Sequence, residues 1–276
     1  KNFTYYSNIN DACVLTNTHK GHGYTFNITA TAEPLKNLNV MAAYTHTVMK
    51  EVSGMPGSNA SSAWSGLYTI NGPNFSNVQN SQYVVPDRII ANVSYKYAKD
   101  HFSLFYQGYS PSGYSFLYNG DINGDGIKND LMYIPRNDSE INFVSDADRQ
   151  AFWKFVEQDK YLKNHKGEYA EAYSARAPFI HRAHDFDVKI GNTRNRLQLS
   201  LDIMNVGNLF NSKWGVAKNM GSCNNGQILK VNKVENNTPV FSMMKVNGEY
   251  ATKTWNFNHN YDQCWKMQIG IKYTFN

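Results

Sequence analysis

The chain has 276 residues, of which 41% are hydrophobic, 14% aromatic and 18% charged, with a formal net charge of +5. No segment approaches the roughly 20 consecutive apolar residues of a membrane-spanning helix, which excludes a helical membrane protein. Lys and Arg are scattered along the chain, so the sequence gives no reason to expect a nucleic-acid partner. The high aromatic content is typical of the girdles of membrane β-barrels and also of sugar-binding surfaces.

The first regular pattern is a hairpin. After a polar, irregular start, apolar and polar residues alternate with a period of two on both sides of a turn at Pro34–Asn37. This alternation predicts two antiparallel strands with one oily face each. Each strand is about ten residues long, and at about 3.3 Å per residue with a tilt near 45° that length crosses the core of a bilayer.

The same pattern recurs to the end of the chain, with short turns and long loops in strict alternation. The predicted segments are an external loop 1–22, a hairpin 23–48, an external loop 49–86, a hairpin 87–110, an external loop 111–183, a hairpin 184–206, an external loop 207–263 and a final strand 264–276. Outer-membrane barrels treat their periplasmic and external ends in this way. The sequence therefore predicts an all-β fold, a transmembrane antiparallel β-barrel with long external loops.

The final strand carries the clearest membrane signal. In CWKMQIGIKYTFN, apolar residues beginning at Trp265 occupy one parity, while Lys266 and Lys272 fall on the other. Arg88, Asp185, Asp187, Lys189 and Asp202 also fall on the polar parity of their strands. A Lys or Arg facing lipid at mid-membrane would cost about 2 to 4 kcal/mol, so this distribution favours lipid on the oily side and water on the other.

The number of predicted strands, seven, has a further consequence. An open sheet of seven strands would expose two unpaired edges to lipid, which is not viable. We therefore expect the remaining strands of the barrel to belong to the same parent protein.

Two groups of residues resemble a known family. Asn205-Val206-Gly207-Asn208-Leu209-Phe210-Asn211, followed by Trp214-Gly215 and a terminal aromatic strand, resembles the end of TonB-dependent outer-membrane receptors. The loop from Gly120 to Pro135, together with residues 161–178, is similar to the Oar-like branch of that family in Bacteroidetes. The resemblance extends over residues 80–276.

The resemblance implies a 22-strand barrel in the bacterial outer membrane, with an N-terminal plug that lies outside this sequence. This chain supplies the C-terminal seven strands of that barrel. It also implies a transporter that takes up a large ligand such as a peptide, a glycan or a metal chelate. The implied partners are membrane lipid, the TonB complex, contacted through an N-terminal part outside this sequence, and a surface lipoprotein.

One loop segment has the period of a helix. Ala147 to Lys163 predicts a helix capped by Ser145 or Asp146. Its apolar positions, spaced to face one core, are Phe152, Phe155, Val156 and Leu162. We expect residues 161–171, which are mostly polar, to lie at the surface.

An acidic loop is the candidate metal site. Asp121, Asn123, Asp125 and Gly126 occupy positions 1, 3, 5 and 6 of a calcium loop. Position 12, normally a bidentate Glu, is Met132, so Asp130 or Asn129 would have to close the shell, with the Ile127 carbonyl as a further ligand. The alternative is a polar Asx-turn loop without metal.

Two further sets of side chains are candidates for a role. Of Cys13, Cys223 and Cys264, the last two form the pair expected if a disulfide is present, with free thiols as the alternative. Four aromatics are candidates for stacking on a ligand, with loop packing as the alternative: Trp64, Tyr68, Trp214 and Trp255. No catalytic order of residues appears, so we do not expect an enzyme.

A second function class remains open at this point. A secreted, soluble β-sandwich that is stiffened by calcium and binds glycans through its aromatics would also show alternating strands and an acidic loop. In that case another sheet of the same chain should cover the oily face of the strands.

Overall fold

A computed structural model describes residues 12–189 and 196–274, with side chains given for 12–182 and 197–274. The fold is mostly β, and its largest sheet is antiparallel. The strands are β1 (His22–Leu35), β2 (Leu38–Glu51), β3 (Gln79–Asn80), β4 (Asp87–Tyr97), β5 (Asp100–Tyr109), β6 (Leu117–Tyr118), β7 (Tyr133–Ile134), β8 (Asn142–Phe143), β9 (Glu168–Tyr169), β10 (Ile180–Lys189), β11 (Arg196–Met204), β12 (Lys218–Asn219), β13 (Gln227–Glu235), β14 (Thr238–Met243), β15 (Lys245–Val246), β16 (Glu249–Tyr250), β17 (Asn256–Phe257) and β18 (Lys266–Thr274). The helices are α1 (Ala60–Ser65), α2 (Asp146–Gln158), α3 (Lys160–Asn164) and α4 (Val206–Phe210), with 3-10 turns at Pro73–Phe75, Asp138–Glu140, Gly221–Gly226 and Tyr261–Gln263. None of the described helices is long and apolar enough to span a membrane.

The long strands form one sheet, which we call the wall sheet. Its order is β1-β2-β4-β5-β10-β11-β18, each neighbouring pair is antiparallel, and the short β3 pairs with the end of β2. All seven predicted strands are therefore present and follow one another in sequence order across the sheet. Three long connections leave it, at residues 52–86, 110–179 and 205–265.

The register places the predicted oily residues side by side. Ile28 lies opposite Tyr44, and Tyr44 lies opposite Ile89 on its other side. At the far end of the sheet Leu199 lies opposite Ile271. Because residues directly opposite one another point to the same face, the described side chains of the wall sheet form an apolar face, as the alternation predicts. Predictions about residues 1–11, 190–195 and 275–276, and about the side chains of 183–196, lie outside the described part.

The first hairpin is longer than predicted. Strand β1 continues through Pro34, where we expected it to stop, and only Lys36 and Asn37 form the turn. Pro34 has no N–H to donate to a ladder, but β1 lies at the edge of the described sheet and its outer side has no neighbouring strand there. Asn37 has a φ of 66° and Ala98, in the next short turn, a φ of 52°, as tight hairpin turns require.

The hydrophobic core lies away from the wall sheet, in a unit that we call the cap (residues 110–179 and 216–257). Its largest fully buried side chains include Phe116, Met132 and Ile228. A four-stranded sheet, β6-β13-β14-β8, unites the second and third long connections, and α2 contacts β14 and β8. The cap therefore has a packed interior of its own.

The predicted helix is two helices. Ser145 caps α2 as expected, since its Oγ accepts a hydrogen bond from the N–H of Asp148. The helix ends at Gln158 because Asp159 adopts an extended conformation and becomes the N-cap of α3. The four predicted apolar positions, Phe152, Phe155, Val156 and Leu162, are fully buried. The expectation that residues 161–171 lie at the surface was wrong at Leu162 and at Ala170, whose N–H donates to the Met132 carbonyl.

The third long connection contains strands that we did not predict. The hairpin β13–β14 turns at Asn236 and Asn237, which have φ values of 50° and 62°. Two consecutive residues with positive φ are what a type I′ turn needs, and Asn accepts that conformation more readily than most residues. The pair Asn236-Asn237 was therefore the signal in the sequence that could have predicted this hairpin.

Candidate functional site

The apolar face of the wall sheet is uncovered. Phe26 is 56% exposed, Ile269 is 69% exposed and Ile271 is 72% exposed. Further exposed members of this face are Tyr24, Ile28, Tyr44, Ile89, Val93, Tyr95, Tyr97, Leu104, Leu197, Leu199, Met267 and Tyr273. No second sheet of the described chain packs on this face, so the arrangement differs from the two-layer sandwich of the alternative. Soluble monomers rarely expose so large a contiguous apolar surface, and such surfaces mark contact with lipid or with protein.

The opposite face of the wall sheet is polar and hollow. A cavity of about 690 Å³ is bordered by side chains of β4, β5, β11 and β18, which are Asn92, Ser94, His101, Ser103, Phe105, Asp202, Met204 and Gln268. Side chains from four strands border a single hollow, so this face is concave. Phe105 borders this hollow, and Phe105 and Ile90 are apolar residues on the otherwise polar parity of β4 and β5.

The Asn-Val-Gly-Asn-Leu-Phe-Asn motif acts as a clamp at the end of β11. Asn205 Nδ2 donates to the carbonyl of Gln263, which lies just before β18. Asn208 accepts from the N–H of Trp265 through Oδ1 and donates through Nδ2 to the carbonyls of Ser212 and Trp214. The two asparagines therefore tie the start of the final strand to the chain that leaves the previous one.

A second set of hydrogen bonds fixes the loop after the clamp. Arg182, near the start of β10, donates to the Gly215 carbonyl and to Gln263 Oε1, and Gln263 Oε1 also accepts from the Ala217 N–H. Gly215 has a φ of 66°, and a Cβ there would lie 1.9 Å from Asn205 Oδ1, so only glycine fits. The segment around Gly215 is thus fixed by Arg182 of β10, by Asn205 after β11 and by Gln263 before β18.

The acidic loop is closed by its own carboxylates. Asp121 accepts from the N–H groups of Gly124 and Gly126, and Asp125 Oδ1 accepts from that of Ile127. Asn123 bonds both the Asp125 N–H and Asp130, whose other oxygen accepts from Ile122 N. These are Asx-turn hydrogen bonds. Met132, at position 12, is buried in the core of the cap and supplies no ligand.

The fit of this loop to calcium rests on its oxygens. Among the described residues, no three His, Cys, Asp or Glu side chains are grouped to hold a metal ion. Asp125 Oδ2 is nevertheless buried and accepts no hydrogen bond from the described part of the chain. Burial raises the pKa of Asp130, and the charges of Asp125 and Asp121 raise it further, against the hydrogen bonds that lower it. Calcium binding stays a prediction, and Asp125 Oδ2 is the buried carboxylate oxygen that could still accept a ligand.

The cysteines of the described chain are free thiols. Cys264 is exposed at the wall, while Cys223 is buried in the cap with its Sγ against the carbonyls of Met220 and Thr254. The disulfide expected between Cys223 and Cys264 is therefore absent, because one thiol belongs to the cap core and the other to the end of the wall sheet. Burial raises the pKa of the Cys223 thiol to about 12, which keeps it protonated and unreactive.

The four candidate aromatics do not come together. Trp64 donates its indole N–H to Asn74 within the first long connection, and Tyr68 packs on Tyr173 with ring centroids 5.3 Å apart. Trp255 packs edge-on against Tyr114 at the core of the cap. Only Trp214 is largely exposed, at 57%. Loop packing, the alternative that the sequence left open, describes the first three.

Sequence reasoning missed a cavity at the junction of wall and cap. It is bordered by segments that are far apart in sequence, around residues 106, 178–181, 207–218 and 257. No local pattern could have indicated it, because its four segments meet only in the folded chain. Comparison with protein-family models, with curated proteins and with solved structures found no match.

Proposed function

We propose that this chain is part of the wall of a transmembrane β-barrel in a bacterial outer membrane, with the cap on the external side. The observation that carries the proposal is the uncovered apolar face of the wall sheet, which alternates residue by residue with a polar, concave face. The aromatics Tyr24, Tyr97, Trp265 and Tyr273 lie toward the ends of this face, where the girdles of membrane barrels occur.

The two outer edges of the wall sheet support a larger barrel. Strands β1 and β18 each pair on one side only within the described chain. In lipid such edges must be satisfied, so the proposal includes further strands, supplied by the same parent protein, that pair with both.

Together with the resemblance of the clamp motif and of the acidic loop, these features favour a TonB-dependent transporter of large ligands. In that assignment the concave polar face lines the lumen, a plug from the parent protein occupies it, and the cap forms the external surface met by the ligand or by a surface lipoprotein. The assignment concerns transport, not catalysis.

A single substitution with a matched control tests the membrane proposal. Replacing Ile269 by Lys puts a charge on the apolar face, and in lipid it should lower the free energy of unfolding by about 2 to 4 kcal/mol. Gln268→Lys, one residue away on the polar face, should change it by less than about 0.5 kcal/mol. The measurement is denaturant unfolding of the full-length protein in lipid vesicles.

The opposing outcome separates the two function classes. The membrane proposal is wrong if the full-length protein is soluble in buffer without detergent and both lysine substitutions lower the free energy of unfolding equally little. The wall sheet would then face water. Recovery of the protein in the outer-membrane fraction, with only Ile269→Lys destabilising, supports it.

A further inference from the structure

The cavity at the junction of the wall sheet and the cap has a volume of about 580 Å³. Its walls are aromatic and basic, with Phe179, Trp214 and Phe257 among the rings and Lys213 and Lys218 as the cations. No carboxylate borders it among the side chains that the structure describes. Its chemistry is therefore that of a site for an anion attached to something apolar.

The cavity opens on the apolar side of the wall sheet. A Cβ on Gly108 would lie 2.6 Å from the Phe179 ring and 2.7 Å from the Tyr106 hydroxyl. Gly108 and Tyr106 share the parity of Leu104, which is an exposed residue of the apolar face. Because Phe179 packs over this parity, the cavity lies at the cap end of the oily surface and not in the concave polar hollow.

The exposed surroundings of the cavity have the composition of a membrane interface. Phe210, in the segment 207–218 that borders the cavity, is 78% exposed, and Leu209 and Trp214 of the same segment are also exposed. In the chain that leads into β18, Tyr261 is 85% exposed and Trp265 is also exposed. Aromatic side chains concentrate at the level of lipid headgroups, where one side of the ring is apolar and the other is wet. The site is thus continuous with the acyl-chain surface on one side and with water on the other.

The two lysines are available for an anion. Lys218 Nζ lies 4.8 Å from the centre of the Phe257 ring, a contact that leaves its N–H groups free to donate to a ligand. Neither Lys213 nor Lys218 forms an ion pair with a side chain in the described part. The loop that carries them is fixed by Arg182, Asn205 and Gln263, so the site is formed before any ligand arrives.

We propose that this cavity binds the phosphorylated headgroup of an acylated lipid, with the acyl chains lying along the apolar face of the wall sheet. The proposal rests on the membrane placement given under the proposed function, and adds a specific lipid site to it. Charge complementarity selects the phosphate, and continuity with the oily face selects a lipid over a soluble phosphate ester.

The test measures retained lipid on the full-length protein in non-ionic detergent by native mass spectrometry. Phosphatidylglycerol and phosphatidylcholine are titrated as probes. We expect the unaltered protein to retain phosphatidylglycerol preferentially, and the variant Lys213→Gln/Lys218→Gln to need roughly tenfold more for half-occupancy, from the loss of two basic groups at the interface. The matched control is Lys245→Gln/Lys253→Gln, which removes the same charge from the cap and includes a lysine over an aromatic ring, Lys245 over Tyr250.

Two outcomes would overturn the proposal. Equal retention by the two double variants would mean that the cavity does not hold the phosphate. Competition by free glycerol phosphate at the same concentration as the lipid would mean a soluble ligand instead. Unfolding midpoints that match in all variants exclude loss of fold as the cause. A protein that stays in the membrane fraction yet gives either outcome contradicts this site alone, whereas a protein found in the soluble fraction contradicts the proposed function.

Discussion

Asp159 ends one helix and begins the next. Its Oδ1 accepts from the N–H groups of Tyr161 and Leu162, and its Oδ2 accepts from the Thr254 hydroxyl, which in turn accepts from Gln158. Asp159→Ala should lower the free energy of unfolding of the cap by about 2 to 3 kcal/mol, because it removes a cap and leaves a buried hydroxyl without an acceptor. Hydrogen exchange of the backbone amides of residues 146–164 measures this loss of stability. Asp159→Asn should retain most of the stability, and the exposed Asp146→Ala should change it little; equal effects of all three would contradict the capping role.

Asp130 gives the cap a dependence on pH. Its folded pKa is raised by burial and by Asp125 and Asp121, above the unfolded value of 3.8. A carboxyl of this kind stabilises most below its unfolded pKa, and the contribution is lost as the pH rises through its folded pKa. The unaltered protein should therefore gain stability relative to Asp130→Asn as the pH is lowered from neutral toward 4, measured as the difference in their thermal midpoints. A difference in thermal midpoint that stays constant with pH for Asp130→Asn would exclude this role.

At the scale of elements, calcium binding by the acidic loop stays a prediction that can be tested through the stability of the cap. A cation bound by Asp125 Oδ2 would neutralise the repulsion among Asp121, Asp125 and Asp130. Calcium at ten times its dissociation constant should stabilise the folded cap by about 1.4 kcal/mol. The measurement is the thermal midpoint with calcium, with magnesium and with chelator. Asp125→Asn should abolish the calcium effect; a midpoint that never responds to calcium would leave the loop a metal-free set of Asx turns.

At the scale of the whole molecule, the proposal predicts that β1 and β18 do not pair with one another. Cysteines at Thr29 and Gly270, on the two edge strands, should fail to form an oxidative crosslink in the full-length protein whose native cysteines are all replaced by Ser. Cysteines at Thr29 and Ala43, which lie opposite one another in the first hairpin, should crosslink readily. Formation of the first crosslink would mean that these seven strands close on themselves, and no further strands would be needed.

The wall sheet was predictable because strand residues alternate locally. Once Ile28, Tyr44 and Ile89 are assigned to one parity, a shift of one residue would turn each strand over, so the pattern also excludes odd shifts of the register. The helical face of Phe152, Phe155 and Val156 was predictable for a similar reason, because a helical period is also a local pattern. The helical period does not mark the break at Asp159, whose side chain caps α3 and also accepts from the Thr254 hydroxyl, 95 positions away.

The sequence by itself determined the seven strands, their order and the faces that they present, since a period of two needs no knowledge of distant residues. Only the tertiary structure decided that the apolar face is uncovered, that Cys223 and Cys264 are separate thiols, and that the second and third long connections build one cap. It also decided the basic, aromatic cavity, because Phe179, Lys218 and Phe257 meet only after β10 and the clamp of Asn205 have brought their segments together. Contacts of this kind depend on long-range packing, which leaves no periodic trace in the chain.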